Sequence, residues 1–272
     1  MTKPHDYALG QTTGAARRLE IQDAHFAETS ERLLDELAIR PGDRVVEFGC
    51  GPGGLSRRIL RRLGDGGVLV GVDASDGLIA QARALLGDEA RFQPVLADIA
   101  TLGNWLDGAD VVVGRAVLHH VPMAECMIGR MRAALRPGTR VGFIEPDFRS
   151  MVTRIASLEA TSRPELAPLR VWAHSINHLY LVNQVSPCVG ATLAQAFAAA
   201  GYRNVRADWS ECRSDGMMIE NMIMFYDEVR TRLESLGIMT AKEAEEQQRL
   251  LRALPMDKLP AAWATFRVVC EV

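Results

Sequence analysis

The stretch Val45-Val46-Glu47-Phe48-Gly49-Cys50-Gly51-Pro52-Gly53-Gly54 constrains this chain more than any other. A short apolar run ends in glycines, and an amphipathic pattern carrying Leu55, Ile59, Leu60 and Leu63 follows. Strand, tight turn and helix in that order form the opening unit of an open α/β sheet. Glycines at the turn let the chain reverse sharply and let a ligand lie against the backbone.

The remaining pattern extends that unit. Short apolar runs at Arg44–Phe48, Val68–Val72, Arg91–Val95, Val111–Val113 and Arg140–Ile144 alternate with helical patterns. One helix is expected over Glu28–Ile39, stopped by Pro41-Gly42; others over Ser75–Leu86 and Met123–Leu135, the last closed by Pro137-Gly138. Buried strands alternating with helices predict a parallel sheet of βαβ units. After Ile144 the rhythm changes. Residues 147–188 and 217–254 read as helical, around a helix at Ala191–Ala200 and a strand near Asn204–Trp209, and Ala264–Val272 reads as a final strand. The two helical stretches follow strand ends, where open α/β sheets bind ligands, so they are expected to be lids.

The acids that follow the strands narrow the ligand. Gly49, Gly51 and Gly54 fit G-x-G-x-x-G, a spacing shared with dinucleotide sites. Glu47 sits awkwardly beside a pyrophosphate but suits a ligand ammonium. Pro52 removes an N–H from a phosphate cradle. Asp73, about 20 residues past the glycines, is placed for ribose hydroxyls. Asp98, in Ala97-Asp98-Ile99, is placed to accept from an adenine amine. A ligand with an amino-acid tail, a ribose and an adenine satisfies the set, and S-adenosylmethionine is such a ligand.

With these pieces in order, the sequence resembles the class I S-adenosylmethionine-dependent methyltransferases over roughly residues 7 to 149. Glu47 to Gly53, Gly71-Val72-Asp73-Ala74-Ser75, Ala97-Asp98-Ile99, Gly114 to Pro122 and Leu135-Arg136-Pro137-Gly138 carry the resemblance. The branch it is most similar to is that of bacterial small-molecule enzymes akin to the ubiquinone and menaquinone C-methyltransferases. Tyr7-Ala8-Leu9-Gly10 and Arg18-Leu19-Glu20-Ile21-Gln22 match the opening of one such group, although Gly14 and Ala15 stand near where that group often has Glu. The resemblance implies a Rossmann-like seven-stranded α/β sheet, mostly parallel, with an antiparallel last strand and helical lid insertions. It implies that Gly49, Cys50 and Gly51 pass beneath the methionine part. Asp73 would hold the ribose, and Asp98, Ile99 and Ala74 the adenine. Gly114 and Arg115 would lie near the sulfonium and carboxylate, with Tyr7, Arg18 and Gln22 closing a lid over the cofactor.

Methyl transfer asks mainly for alignment, and for a base only where the acceptor must lose a proton. His119 and His120, after the fourth strand, are the candidates, and a local structural pair is the rival reading. Glu145, after the fifth strand in Glu145-Pro146-Asp147, is a further candidate, set against helix capping and solvation. His174 and His178 share a helical face, and with Tyr180 on the same helix they are candidate substrate contacts. Without a Glu after His174 or a third ligand they make no metal site, and no metal is expected. Met222 and Tyr226 belong to an apolar cluster that is either lid core or an adaptable lining for a hydrophobic acceptor. Cys50 is expected to pack rather than to react.

Composition limits the partners. Of the residues 48% are hydrophobic and the net charge is −3, which fits a globular chain and removes the general electrostatics of nucleic-acid binding. No apolar run reaches the roughly 20 residues of a membrane span, and the five scattered cysteines suit reduced thiols in a cytoplasm. The expectation is one methyltransferase domain over 1–272. It divides into an N-terminal lid and helices (1–40), a cofactor core (41–146) and lids (147–188 and 217–254). A small hydrophobic or aromatic acceptor of specialised metabolism is expected, methylated at O, N or C. A non-methylating cyclase on the same cofactor, or a peptide or protein methyltransferase, is the alternative. The lid helices leave room for a homodimer.

Overall fold

The computed structural model describes residues 13–160, 163–212, 214–256 and 259–272. Two helices, α1 (Thr13–His25) and α2 (Ala27–Glu36), precede the sheet. Then β1 (Arg44–Phe48), α3 (Gly54–Leu60), β2 (Val68–Asp73), α4 (Asp76–Leu86) and β3 (Phe92–Leu96) wind in one direction. β4 (Val111–Arg115), α5 (Ala124–Ala134) and β5 (Arg140–Asp147) wind in the other. The sheet order is β3-β2-β1-β4-β5-β7-β6, where β6 is Arg203–Glu211 and β7 is Ala264–Glu271. β7 runs antiparallel to both β5 and β6, and the other pairs are parallel. The expected seven-stranded, mostly parallel sheet with an antiparallel last strand is therefore present.

The order reverses between β1 and β4, so the carboxyl ends of those strands part and leave a crevice. The central strands are covered on both faces, which is why they read as unbroken apolar runs: Val45, Val46, Phe48 and Val111 to Val113 are fully buried. β6 is an edge strand, largely exposed, and Trp209 stands 59% exposed on it.

Helix ends follow local chemistry. Ser75 Oγ accepts from Leu78 N (3.3 Å) to start α4, and Gly138, with φ +86°, turns the chain after α5. The unpredicted element is α1, whose sequence shows no clear apolar stripe. Tertiary contacts hold it: α1 packs along α9 (Gly216–Ser235), where Asn221 Nδ2 donates to Arg18 O (3.2 Å).

α6 (Phe148–Ala160) and α7 (Ala167–Val182) follow β5, and α8 (Val189–Ala199) leads to β6. α9 and α10 (Ala241–Arg252) fill the interval between β6 and β7. α6, α7, α9 and α10 build a hydrophobic core of their own above the sheet's carboxyl edge, with Trp172, Tyr180, Met222, Tyr226 and Trp263 inside it. No described helix is long and apolar enough to cross a membrane.

Candidate functional site

A cavity of about 880 Å³ lies between the carboxyl ends of the strands and this helical cover. Its size is that of sites holding more than one small ligand part. One end is polar and formed by the strand ends; the other is aromatic and formed by the cover.

At the polar end the chain turns through Gly49 (φ +66°), Gly51 (φ +52°) and Gly53 (φ +93°). A Cβ on Gly49 would meet Val117 Cγ2 at 2.5 Å, while one on Gly51 would meet nothing within 4 Å. Gly49 thus serves packing and Gly51 leaves open space beside the backbone. Asp73 ties the loop to β2: its Oδ2 accepts from Gly51 N and its Oδ1 from Ser75 N, both at 2.9 Å. Burial raises the Asp73 carboxyl above its usual value against those amide donors. Asp98 Oδ1 accepts from Ala100 N (2.8 Å), and Ala74, Asp98 and Ile99 all line the cavity.

Glu47 lines the same end, 1% exposed, and accepts from Ser56 Oγ at 2.5 Å. Desolvation pushes its carboxyl up to about 8. A ligand ammonium beside Glu47 would favour the ionised form and drive a proton off. Calorimetric titration with an ammonium-bearing ligand at pH 7 is therefore expected to release about one proton, read as a buffer-dependent enthalpy. Release should fade above pH 8, where the group is already ionised; a buffer-independent enthalpy would remove Glu47 from the ligand site. Cys50 also lines the wall, but burial and neighbouring Glu47 raise its thiol well above the ordinary range, which leaves it inert.

Arg18, Gln22 and Arg115 also line the cavity. Arg115 is held by Asp23 Oδ1 (2.8 Å) and Ser30 Oγ (3.0 Å) and lies over the Phe26 ring. Arg18 Nε donates to Glu228 Oε1 at 2.7 Å. Gly114 does not reach the cavity: a Cβ there would meet Phe143 Cε1 at 2.5 Å, so the residue is small for strand packing. Tyr7 lies outside the described residues.

The aromatic end gathers His119, His120, Phe148, Trp172, Tyr180, Phe225 and Trp263. The His119 ring lies 4.0 Å from that of His120, 5.7 Å from Phe148 and 5.6 Å from Tyr180. Glu145 does not line the cavity. It sits behind His119, fully buried, as an acceptor for four donors: Val117 N (2.9 Å), Leu118 N (2.8 Å), His119 N (3.3 Å) and His119 Nδ1 (2.7 Å). Three of these are backbone amides, which can only donate, so the carboxylate is the form that satisfies them. His119 Nδ1 then carries the hydrogen and Nε2 keeps its lone pair. Burial and the charge of Arg18 push His119 down to about 3, so the ring is neutral; burial lifts Glu145 to about 7 against the amide donors. Glu145 thus orients the His119 ring from behind and does not itself reach the cavity. Its neighbour Asp147 is a cap, accepting from Arg149 N at 3.0 Å.

The lid candidates need correction. His174 and His178 fall on the exposed face of α7, outside the cavity wall. The wall takes the row Trp172, Ile176 and Tyr180, and two residues along a helix is about 200° of rotation. Met222 and Tyr226 are fully buried in the lid core, while Met218, Asn221 and Phe225 of the same helix face the cavity. Met222 contributes its carbonyl, which accepts from Trp172 Nε1 at 3.2 Å. The unpredicted member is Trp263, nearly stacked on Trp172 (15° between planes, 5.8 Å). It precedes β7, which pairs with β5 so that Ala264 faces Asp147 and Phe266 faces Glu145. No sequence spacing reveals that pairing. Phe148 directly follows the end of β5, while Trp172 lies within α7.

Residues 46–141 match the family model of a methyltransferase domain. A trans-aconitate 2-methyltransferase from Variovorax paradoxus is 35% identical over 141 residues, 52% of this chain and 53% of that protein. An aklanonic acid methyltransferase from a Streptomyces species is 27% identical over 145 residues, 53% of this chain and 65% of that one. The chain spans about half the length of the trans-aconitate relatives it matches. A cyclopropane synthase structure from Mycobacterium tuberculosis shares the fold, with TM-score 0.59 and 14% identity over 90% of this chain and 84% of that one.

Proposed function

We propose, from the match of residues 46–141 to the family model of a methyltransferase domain, that the protein uses S-adenosylmethionine to methylate a small, hydrophobic or aromatic acceptor at an atom bearing an acidic proton. The observation that carries the reading is the His119–Glu145 pair at the aromatic end of the very cavity whose polar end fits the cofactor. The fit rests on the open face of Gly51, the buried carboxylate of Glu47, and Asp73 and Asp98 facing one space.

Asp73 would hold the ribose hydroxyls, and Asp98 with Ile99 and Ala74 the adenine. Glu47 would face the ammonium, with Arg18 and Gln22 over the amino-acid end. When bound, the cofactor supplies a methyl carbon made electrophilic by its sulfonium. The chain supplies alignment, exclusion of water and a proton acceptor. His119 Nε2 takes the proton of a hydroxyl, enol or activated C–H, and Glu145 holds the resulting imidazolium in place.

Burial supports a small acceptor. Trp172, Tyr180 and Phe225 line the aromatic end at no more than 2% exposure, which suits an enclosed ligand rather than a polypeptide running across an open groove. Charge supports a neutral one. Arg18, the cation nearest the histidines, is matched by Glu228, and Arg115 by Asp23. With Arg18 given to the cofactor's amino-acid end, a polycarboxylate would meet only rings in the wall of Phe148, Trp172, Tyr180, Phe225 and Trp263.

Calorimetry with S-adenosylhomocysteine beside NAD tests the cofactor. Turnover with a panel of neutral phenols and enols beside polycarboxylates, read as S-adenosylhomocysteine formed, tests the acceptor. Preference for NAD would end the reading, and product conversion without S-adenosylhomocysteine would replace it with the cyclase. Preference for polycarboxylates would overturn the acceptor class alone.

A further inference from the structure

We propose that Glu228, a lid residue outside the cavity wall, is the positioning residue through which the amino-acid end of the cofactor fixes the acceptor lid. The inference rests on the cofactor reading above. Arg18 of α1 lines the cavity, while Glu228 of α9 does not. Their side chains meet at 2.7 Å with exposures of only 6% and 1%.

A fully buried ion pair is costly to desolvate and a weak source of stability. This one is also incompletely satisfied: Glu228 Oε2 accepts no hydrogen bond among the described residues. A contact so placed is better explained by what it connects. It is the buried charged link between the helix over the polar end and the helix whose Met218, Asn221 and Phe225 line the cavity; an exposed pair, Arg17–Glu220 at 3.9 Å, joins the same helices outside. Asn221 Nδ2, donating to Arg18 O at 3.2 Å, is a second link at the same point.

The guanidinium is a rigid fork of five donors. Glu228 takes Nε, on one edge of the fork, and so fixes the plane in which the guanidinium faces the cavity. Glu228 thereby sets the rotamer in which Arg18 meets the ligand, and the ligand in turn holds Arg18 against α9. Such coupling is reciprocal: whatever affinity the lid lends the cofactor, the cofactor returns as lid order. An acceptor entering the aromatic end then finds Phe225 and Met218 already placed, which predicts that the cofactor binds first.

The test compares S-adenosylhomocysteine with 5′-methylthioadenosine, which lacks the amino-acid end. In the Glu228→Gln variant the former is expected to bind about tenfold more weakly and the latter as in the wild type. In an Arg18→Gln background, Glu228→Gln should make no further difference to either. In the wild type, S-adenosylhomocysteine but not methylthioadenosine should slow amide exchange across 216–235. Equal weakening of both ligands by Glu228→Gln, or equal protection of α9 by both, would reduce Glu228 to a structural residue and overturn the proposal. Failure of either ligand to bind the wild type would instead remove the cofactor reading, and the proposal with it.

Discussion

Alanine at His119 is expected to cut kcat by about 10² to 10⁴ while S-adenosylhomocysteine affinity stays unchanged, because the residue serves the acceptor's proton and not the cofactor. Its position permits the role: Nδ1 is committed to Glu145 at 2.7 Å and Nε2 remains as acceptor. Burial holds His119 near 3, so its own protonation does not shape the profile at working pH. Glu145, lifted to about 7, does. As pH falls through 7 it takes up a proton, loses an acceptor for Nδ1–H, and the tautomer that exposes the Nε2 lone pair is no longer enforced. The wild type should therefore lose kcat on the acid side near pH 7, and Glu145→Gln should lose that limb. An alanine variant at His119 that keeps kcat within threefold or so would leave alignment as the whole of catalysis.

The second large effect belongs to Asp73. Alanine there should weaken S-adenosylhomocysteine by a factor on the order of 100, measured by calorimetry, since hydrogen bonds to a charged group are worth about 1.5–3 kcal/mol each. Two losses combine. The ribose loses its carboxylate, and Gly51 N and Ser75 N lose the acceptors that hold the turn at 2.9 Å. Asparagine keeps one oxygen and should fall between. Circular dichroism of the free variant separates a lost site from a lost fold. Binding within about threefold of the wild type would mean that Asp73 serves only the loop.

The strand-end part of the cavity was legible because its residues are bound to local patterns. Glu47, Asp73 and Asp98 stand at or just past strand ends, and the glycines turn the chain between the first strand and helix, so reading the strands places the acids. The acceptor half was not. Its wall is chosen by helix rotation and by strand pairing, and neither is local. Rotation kept Tyr180 in the wall of α7 but put Trp172 and Ile176 beside it in place of His174 and His178. Pairing of β7 with β5 brought in Trp263. Glu145 was a candidate in the sequence, but its four donors, all from a loop 26 to 28 residues away, place it behind His119 and outside the cavity wall. α1 escaped notice because its order comes from contacts with a helix some 200 residues further along.

The lid is drawn from two separate insertions, yet one of its aromatic walls, Trp263, rides on the strand that closes the sheet. That divides the molecule unequally for change. Substitutions along α6, α7, α9 and α10 can reshape what is accepted without touching the loop at Gly49–Gly53. The stacking partner of Trp172, however, is inherited with the scaffold. Under the proposed function, acceptor scope can thus change in width and depth away from Glu228, but any transplant of the two insertions into another sheet inherits a missing wall unless the residue before its last strand travels too.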